Sequence, residues 1–250
     1  MTRQALPEVS AVPLPPTTML HRLRPLARFL IRRRFRVRLH RPDQVPATGP
    51  VILAANHIGV VDGPVLAIFS PRPVHALTKQ EMFEGRLGGF LRHSGQIRLD
   101  RFAADPAAVK TFLAVLRDGR VGGIFPEGTR GPGDFGRFHA GAAYLGLVSG
   151  APIVPVTMLG SRERGAGSSA LPPRGGTVHI VYGEPYRFEA TPWPRTREQV
   201  REASLLLREH MVAQLQAALD LTGRSLPGPL PVGQRNVDDD PHTGVVEQGA

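Results

Sequence analysis

Short apolar runs alternate with helical stripes along most of the chain. The run "VILAA", Val51–Ala55, is continuously apolar, as in a strand covered on both faces. Just before it, Phe35-Arg-Val-Arg-Leu-His40 alternates, which predicts a half-buried strand. Further strands are expected at "PVHALTK", "GQIRLDR", "RVGGIFPEG", "APIVPVTML" and "TVHIVYGEP". Between them lie helical patterns. One follows Asp62-Gly63-Pro64 through Phe69. A second opens at Asp105-Pro106, where the aspartate can cap free amides and the proline gives up no hydrogen bond. Its apolar face is Val109, Phe112, Leu113 and Leu116, and Gly119 is its natural stop. Ala140 to Ser149 predicts a helix of small residues. The last helix starts at a Thr196/Gln199 capping box and carries Val200, Ser204, Leu207, Met211, Leu215 and Ala218 on one face.

This alternation predicts one α/β domain from about residue 35 to 222. Residues 1–16 are proline-rich and expected to be disordered, and 223–250 lack periodicity and read as a flexible tail. Residues 17–34 predict a basic helix that Pro25 breaks or restarts. No internal repeat stands out.

Composition sharpens the picture at one end. The net charge is +10, and nine arginines with no acid lie between Leu20 and Pro42. The remainder is close to neutral, so a basic end is attached to a balanced domain. Such an end attracts polyanions, whether nucleic acid or anionic lipid. Residues 17–34 are therefore either a solvated basic helix covering the core or an interfacial helix with apolar side chains among lipids. Aromatic residues are 6% of the chain and the arginines cluster away from them, which argues against base stacking and hence against nucleic acid. No apolar run is long enough for a spanning helix. With no cysteine, disulfides and thiolate chemistry are excluded, and the histidines form no zinc pattern.

Candidate chemistry begins where "VILAA" ends. His57 could act as a general base, and Asp62, five residues on, could turn back to orient it, with Gly59 easing the turn. Taken alone, the pair is more often a helix-capping Asp62 beside an incidental His57. There is no Gly-x-Ser-x-Gly elbow, so His57 would activate a hydroxyl of the substrate itself. Two other strand ends carry arginines suited to phosphate: Asp100-Arg101, and Glu127-Gly128-Thr129-Arg130. Singly, each is as readily a surface ion pair.

Together these stretches resemble the glycerolipid acyltransferases, the family of the 1-acyl-glycerol-3-phosphate (lysophosphatidic acid) acyltransferases. Asn56-His57-Ile-Gly-Val-Val-Asp62 is similar to the first family motif. Lys79 and Glu81 ahead of Gly95-Gln-Ile-Arg-Leu-Asp100-Arg101 resemble the second, Phe125-Pro-Glu-Gly-Thr-Arg-Gly131 the third, and Pro152-Ile-Val-Pro-Val156 the fourth. The resemblance implies a single acyltransferase domain with a mixed sheet flanked by helices, preceded by a basic interfacial segment. It implies that His57 and Asp62 are catalytic and that Lys79, Arg101, Glu127, Gly128, Thr129 and Arg130 bind the acceptor. The acceptor would be a lysophospholipid, most closely 1-acyl-glycerol-3-phosphate. Glycerol-3-phosphate or a lipid-linked alcohol is the alternative acceptor, and a basic binding module without activity the alternative class. Acyl-coenzyme A or acyl carrier protein would enter as co-substrate, with no cofactor. The expected location is the cytoplasmic face of the cell membrane, peripherally, against anionic lipids. Two positions depart from the family pattern: Gly131 replaces a serine, and Ala140-Gly141 stands where lysine-glycine is common.

Overall fold

A computed structural model of the chain describes residues 12–191 and 195–233. The expectations for residues 1–11 and 234–250 lie outside the described residues. Seven strands form one sheet: β1 (Arg36–His40), β2 (Val51–Ala55), β3 (Val74–Lys79), β4 (Ile97–Leu99), β5 (Val121–Ile124), β6 (Ile153–Leu159) and β7 (Thr177–Tyr182). Their order is β1-β7-β6-β2-β5-β3-β4. From β6 to β4 all neighbours are parallel. β7 is antiparallel to β6, and β1 pairs parallel with β7, so the sheet is mixed, as expected.

The continuous apolar run of β2 is explained by its central place. Val51, Leu53 and Ala55 point into one core with Val154, Val156 and Met158 of β6, while Ile52 and Ala54 point into the other. The first core is covered by α2 (Asp62–Phe69) through Val65, Leu66 and Phe69. The second is covered by α5 (Pro106–Arg117), α6 (Gly141–Ser149) and α7 (Arg197–Thr222). Asp105 caps α5 by accepting from the Ala108 amide at 2.9 Å, and Thr196 with Gln199 closes the capping box of α7. Two short helices, α3 (Glu81–Glu84) and α4 (Gly88–His93), fill the β3–β4 connection and have no helical stripe in the sequence.

The N-terminal helix differs from expectation. α1 (Thr18–Arg34) runs unbroken through Pro25. An interior proline costs about 3 kcal/mol, so the helix must be held from both sides. Leu20 is buried ahead of Pro25, and Ile31 and Phe35 pack into the core after it. Arg24 and Arg28 both face inward and donate to the Ile68 and Ser70 carbonyls at the end of α2. Burial and the neighbouring Arg28 push the Arg24 guanidinium down to about 10. The inward arginines leave Leu23, Leu26, Phe29 and Leu30 exposed, with Arg22, Arg32 and Arg33 beside them. Both flanks also touch the domain. The Pro15 carbonyl accepts from Arg120 at 2.8 Å, and after Gly223 Leu226 packs against the core. Pro15 and Leu226 thus contact the domain.

The connections create a topological switch point at the ends of β2 and β5. After β2 the chain enters α2 on one face of the sheet, and after its neighbour β5 it enters α6 on the other. Adjacent strands whose chains depart in opposite directions leave a gap beyond their carboxyl ends, where α/β proteins bind ligands. His57 follows β2 and Glu127 follows β5, so both stand at this gap.

Candidate active site

Asn56 turns the chain out of β2. It is fully buried, its amide nitrogen donating to the Gly133 and Met158 carbonyls and its oxygen accepting from the Met158 amide at 2.6 Å. The next six residues fold around the Asp62 carboxylate. Its Oδ2 lies 2.9 Å from His57 Nδ1 and accepts the Ile58 and Gly59 amides at 2.7 Å each. Asp62 therefore turns back onto its own loop instead of capping α2. Its side chain is fully buried while that of His57 is 20% exposed. The Phe125 ring stacks on the imidazole at 4.3 Å between centroids. Gly59 does more than permit a turn: a Cβ there would sit 2.7 Å from the Ser161 carbonyl oxygen, inside van der Waals contact.

The loop after β5 locks onto the same histidine. Glu127 Oε2 accepts the His57 amide at 2.6 Å, its Oε1 accepts the Phe135 amide at 3.1 Å, and the Gly131 amide donates to the His57 carbonyl at 2.8 Å. Burial pushes the Glu127 carboxyl up to about 8, against the two amide bonds, which favour the ionised form. Gly128 has φ +71, and a side chain there would meet the His139 ring. The Gly128 carbonyl accepts from Arg101 Nη1 at 3.2 Å, which joins the loops after β4 and β5. Arg101 also lies 3.9 Å from Glu81 and over the Phe102 ring.

The sequence-predicted residues are thus sorted by the fold. His57, Asp62, Glu127, Gly128 and Arg101 form one connected unit. Thr129 is half-buried within it. Arg130 leaves the unit to donate to the Ser168 carbonyl at 2.9 Å, and Lys79 ends β3 in register with Leu99 of β4. Glu127, expected to contact the acceptor, has both oxygens on backbone amides inside the protein. Asn56 and Phe125 lie within the motifs, and the sequence alone assigns them no role. Asn56 joins β2 to β6, and Phe125 stacks on the His57 ring.

The chain matches known proteins in sequence and in fold. The family model described as Acyltransferase matches residues 36–159. The chain belongs to the acyltransferase family. It is 29% identical over 151 residues to the 1-acyl-sn-glycerol-3-phosphate acyltransferase of Bacillus subtilis, covering 60% of this chain and 73% of that protein. It is 34% identical over 121 residues to the protein of the same name in Borreliella burgdorferi, covering 46% of this chain and 48% of that one. The crystal structure of the 1-acyl-sn-glycerophosphate (LPA) acyltransferase of Thermotoga maritima superposes with TM-score 0.61 at 18% identity, over 82% of this chain and 80% of that one. At that identity the likeness is one of fold.

The geometry separates two glycines of this acyltransferase. Gly131 has open space where a Cβ would stand, and its contact to His57 is made by its amide. Gly131→Ser, which restores the family pattern, is expected to keep turnover within about twofold. Gly59→Ala is expected to lower it by about 10²-fold, since a shift of about 1 Å at a reacting group costs that much. Steady-state kinetics of the two variants checks this.

Glu127 generates a pH prediction. Its pKa is higher folded than unfolded, so stability from this group is complete below about 4.5 and is lost as pH rises through about 8. Urea unfolding across that window should show the wild type losing stability relative to Glu127→Gln as pH rises. A constant difference between the two proteins would contradict it.

Proposed function

We propose that the chain is a peripheral membrane enzyme that moves a fatty acyl group from acyl-coenzyme A or acyl carrier protein to the free hydroxyl of 1-acyl-glycerol-3-phosphate, in phospholipid synthesis. The observation that carries this reading is the His57–Asp62 pair set against the arginine-linked Gly128 loop. With Nδ1 engaged by Asp62, Nε2 is the nitrogen that takes the proton of the acceptor hydroxyl. The oxygen then attacks the thioester carbonyl, the carbon–sulfur bond breaks, and the imidazolium returns its proton to the departing thiolate. Asp62 orients the ring and stabilises its charged form. Arg101 and Arg130, with Gly128 and Thr129, are the groups for the acceptor phosphate, and Lys79 adds charge at the neighbouring strand end. The names of the relatives in Bacillus subtilis and Borreliella burgdorferi support this acceptor.

α1 supports the membrane part. Its outward Leu23, Leu26, Phe29 and Leu30 among arginines have the composition of a helix lying in the headgroup layer. Among the described residues no helix is long and apolar enough to cross a membrane. The lipid-facing side follows from Arg24 and Arg28, which hold the opposite side against α2. On this reading the helix rests on the cytoplasmic leaflet, where anionic lipids add about 1 kcal/mol per nearby arginine.

Two measurements check these parts separately. Acyl transfer to a panel of lysolipids and to glycerol-3-phosphate is expected to favour 1-acyl-glycerol-3-phosphate, and His57→Ala to lower turnover by about 10²–10⁴-fold, the usual contribution of a general base. Unchanged turnover would remove the mechanism. Flotation with phosphatidylglycerol-containing liposomes should carry the wild type, whereas replacing Leu26, Phe29 and Leu30 by serine should leave the protein at the bottom of the gradient. Equal flotation would refute the orientation of α1.

A further inference from the structure

Beside the His57 loop lies a buried guanidinium that the chemistry above does not use. Arg162 follows β6 and is 2% exposed. Its Nε donates to the Ile58 carbonyl at 2.7 Å and its Nη1 to the Ala166 carbonyl at 3.0 Å. Its Nη2 donates to the Gly131 carbonyl at 2.9 Å and to the Gly228 carbonyl at 2.5 Å. These four acceptors come from four segments: the loops after β2, β5 and β6, and the stretch after α7.

Two of the four bonds grip the histidine from both sides. Ile58 gives its amide to Asp62 Oδ2 and its carbonyl to Arg162. Gly131 gives its amide to the His57 carbonyl and its own carbonyl to Arg162. The other carboxylate oxygen, Asp62 Oδ1, is buried with no hydrogen-bond partner. A buried anion with one oxygen unbonded is costly unless a cation stands near. Arg162 is the cation bonded to the same loop: burial lowers its pKa and the Asp62 charge opposes the drop. Only a guanidinium has enough donors, fixed in one plane, to reach carbonyls in so many directions. An ammonium offers three donors from a single point.

We propose that Arg162 is a positioning residue for acyl transfer. It holds the loop carrying His57 and the loop carrying Gly131 in register, so that Nε2 faces the acceptor bound at the Gly128 side. The proposal rests on the acyl-transfer reading above, and it makes the segment after α7 part of the brace through Gly228. Arg162 does not touch the reacting atoms.

The test compares Arg162→Lys and Arg162→Gln with Met211→Ala, a cavity variant in the buried face of α7 chosen to match their loss of melting temperature. Assays run well below melting. The arginine variants are expected to lose about 10²-fold in kcat with KM for both substrates within about threefold, while Met211→Ala keeps kcat within about twofold. Amide hydrogen exchange supplies a readout without turnover: Ile58, Gly59 and Gly131 should exchange at least about tenfold faster in the arginine variants and not in Met211→Ala. Unchanged exchange, a loss confined to KM, or activity that simply follows melting temperature in all three variants would overturn the proposal. A wild type inactive on every lysolipid would overturn the acyl-transfer reading and the catalytic part with it, and exchange would still decide whether Arg162 holds the loops. Should neither arginine variant fold, deleting residues 228–250 removes the Gly228 bond while keeping the buried Pro227; faster exchange at Gly131 is then expected, and no change refutes the brace.

Discussion

The site depends on one buried oxygen. Asp62 Oδ2 draws three donors to itself, the His57 ring and the amides of Ile58 and Gly59. A buried carboxylate in an apolar core would otherwise be expensive, and such charge-assisted bonds are the strong ones. The loop therefore has little choice of shape. Closing around the oxygen fixes the ring plane, assigns Nδ1 to the acid, and aims the Ile58 carbonyl away from it toward Arg162. One side chain thus sets both the orientation of the His57 ring and the shape of the loop that carries it.

The second constraint is the interlock of two loops from neighbouring parallel strands. β2 and β5 run side by side, yet their chains leave toward opposite faces of the sheet, so their ends must be joined by something other than secondary structure. Glu127 and Gly131 make that joint by bonding the backbone on both sides of His57. This explains how the chain tolerates Gly131 where relatives in the family pattern carry serine: the amide makes the contact, and every residue except proline has one. It also gives Glu127 a structural role, since each of its oxygens holds a backbone amide.

Much of this was legible in the sequence wherever the signal was local. The apolar run Val51–Ala55 could only be a central strand, Asp105-Pro106 marked a helix start, and the five-residue step from His57 to Asp62 allowed the loop to close on itself. Features whose partners lie far along the chain were not legible. Arg24 and Arg28 look like members of a basic run, and only the end of α2, some forty residues on, turns them inward. Nothing near Glu127 announces amides at positions 57 and 135, and nothing near Arg162 announces carbonyls at positions 58, 131 and 228. Backbone groups carry no sequence signature, so side chains that bind them are hidden until the fold is known. Pro25 shows the same limit: its local cost was read correctly, and long-range docking of α1 overrides it.

The central claim is that the Asp62 carboxylate holds the His57 ring with Nδ1 protonated, leaving Nε2 as the free base. Nitrogen-15 NMR of the neutral imidazole in uniformly labelled protein measures this directly. The expected result is the Nδ1–H tautomer in the wild type and a mixture of tautomers in Asp62→Asn. A ring found mainly as the Nε2–H tautomer, or one indifferent to the loss of Asp62, would contradict it.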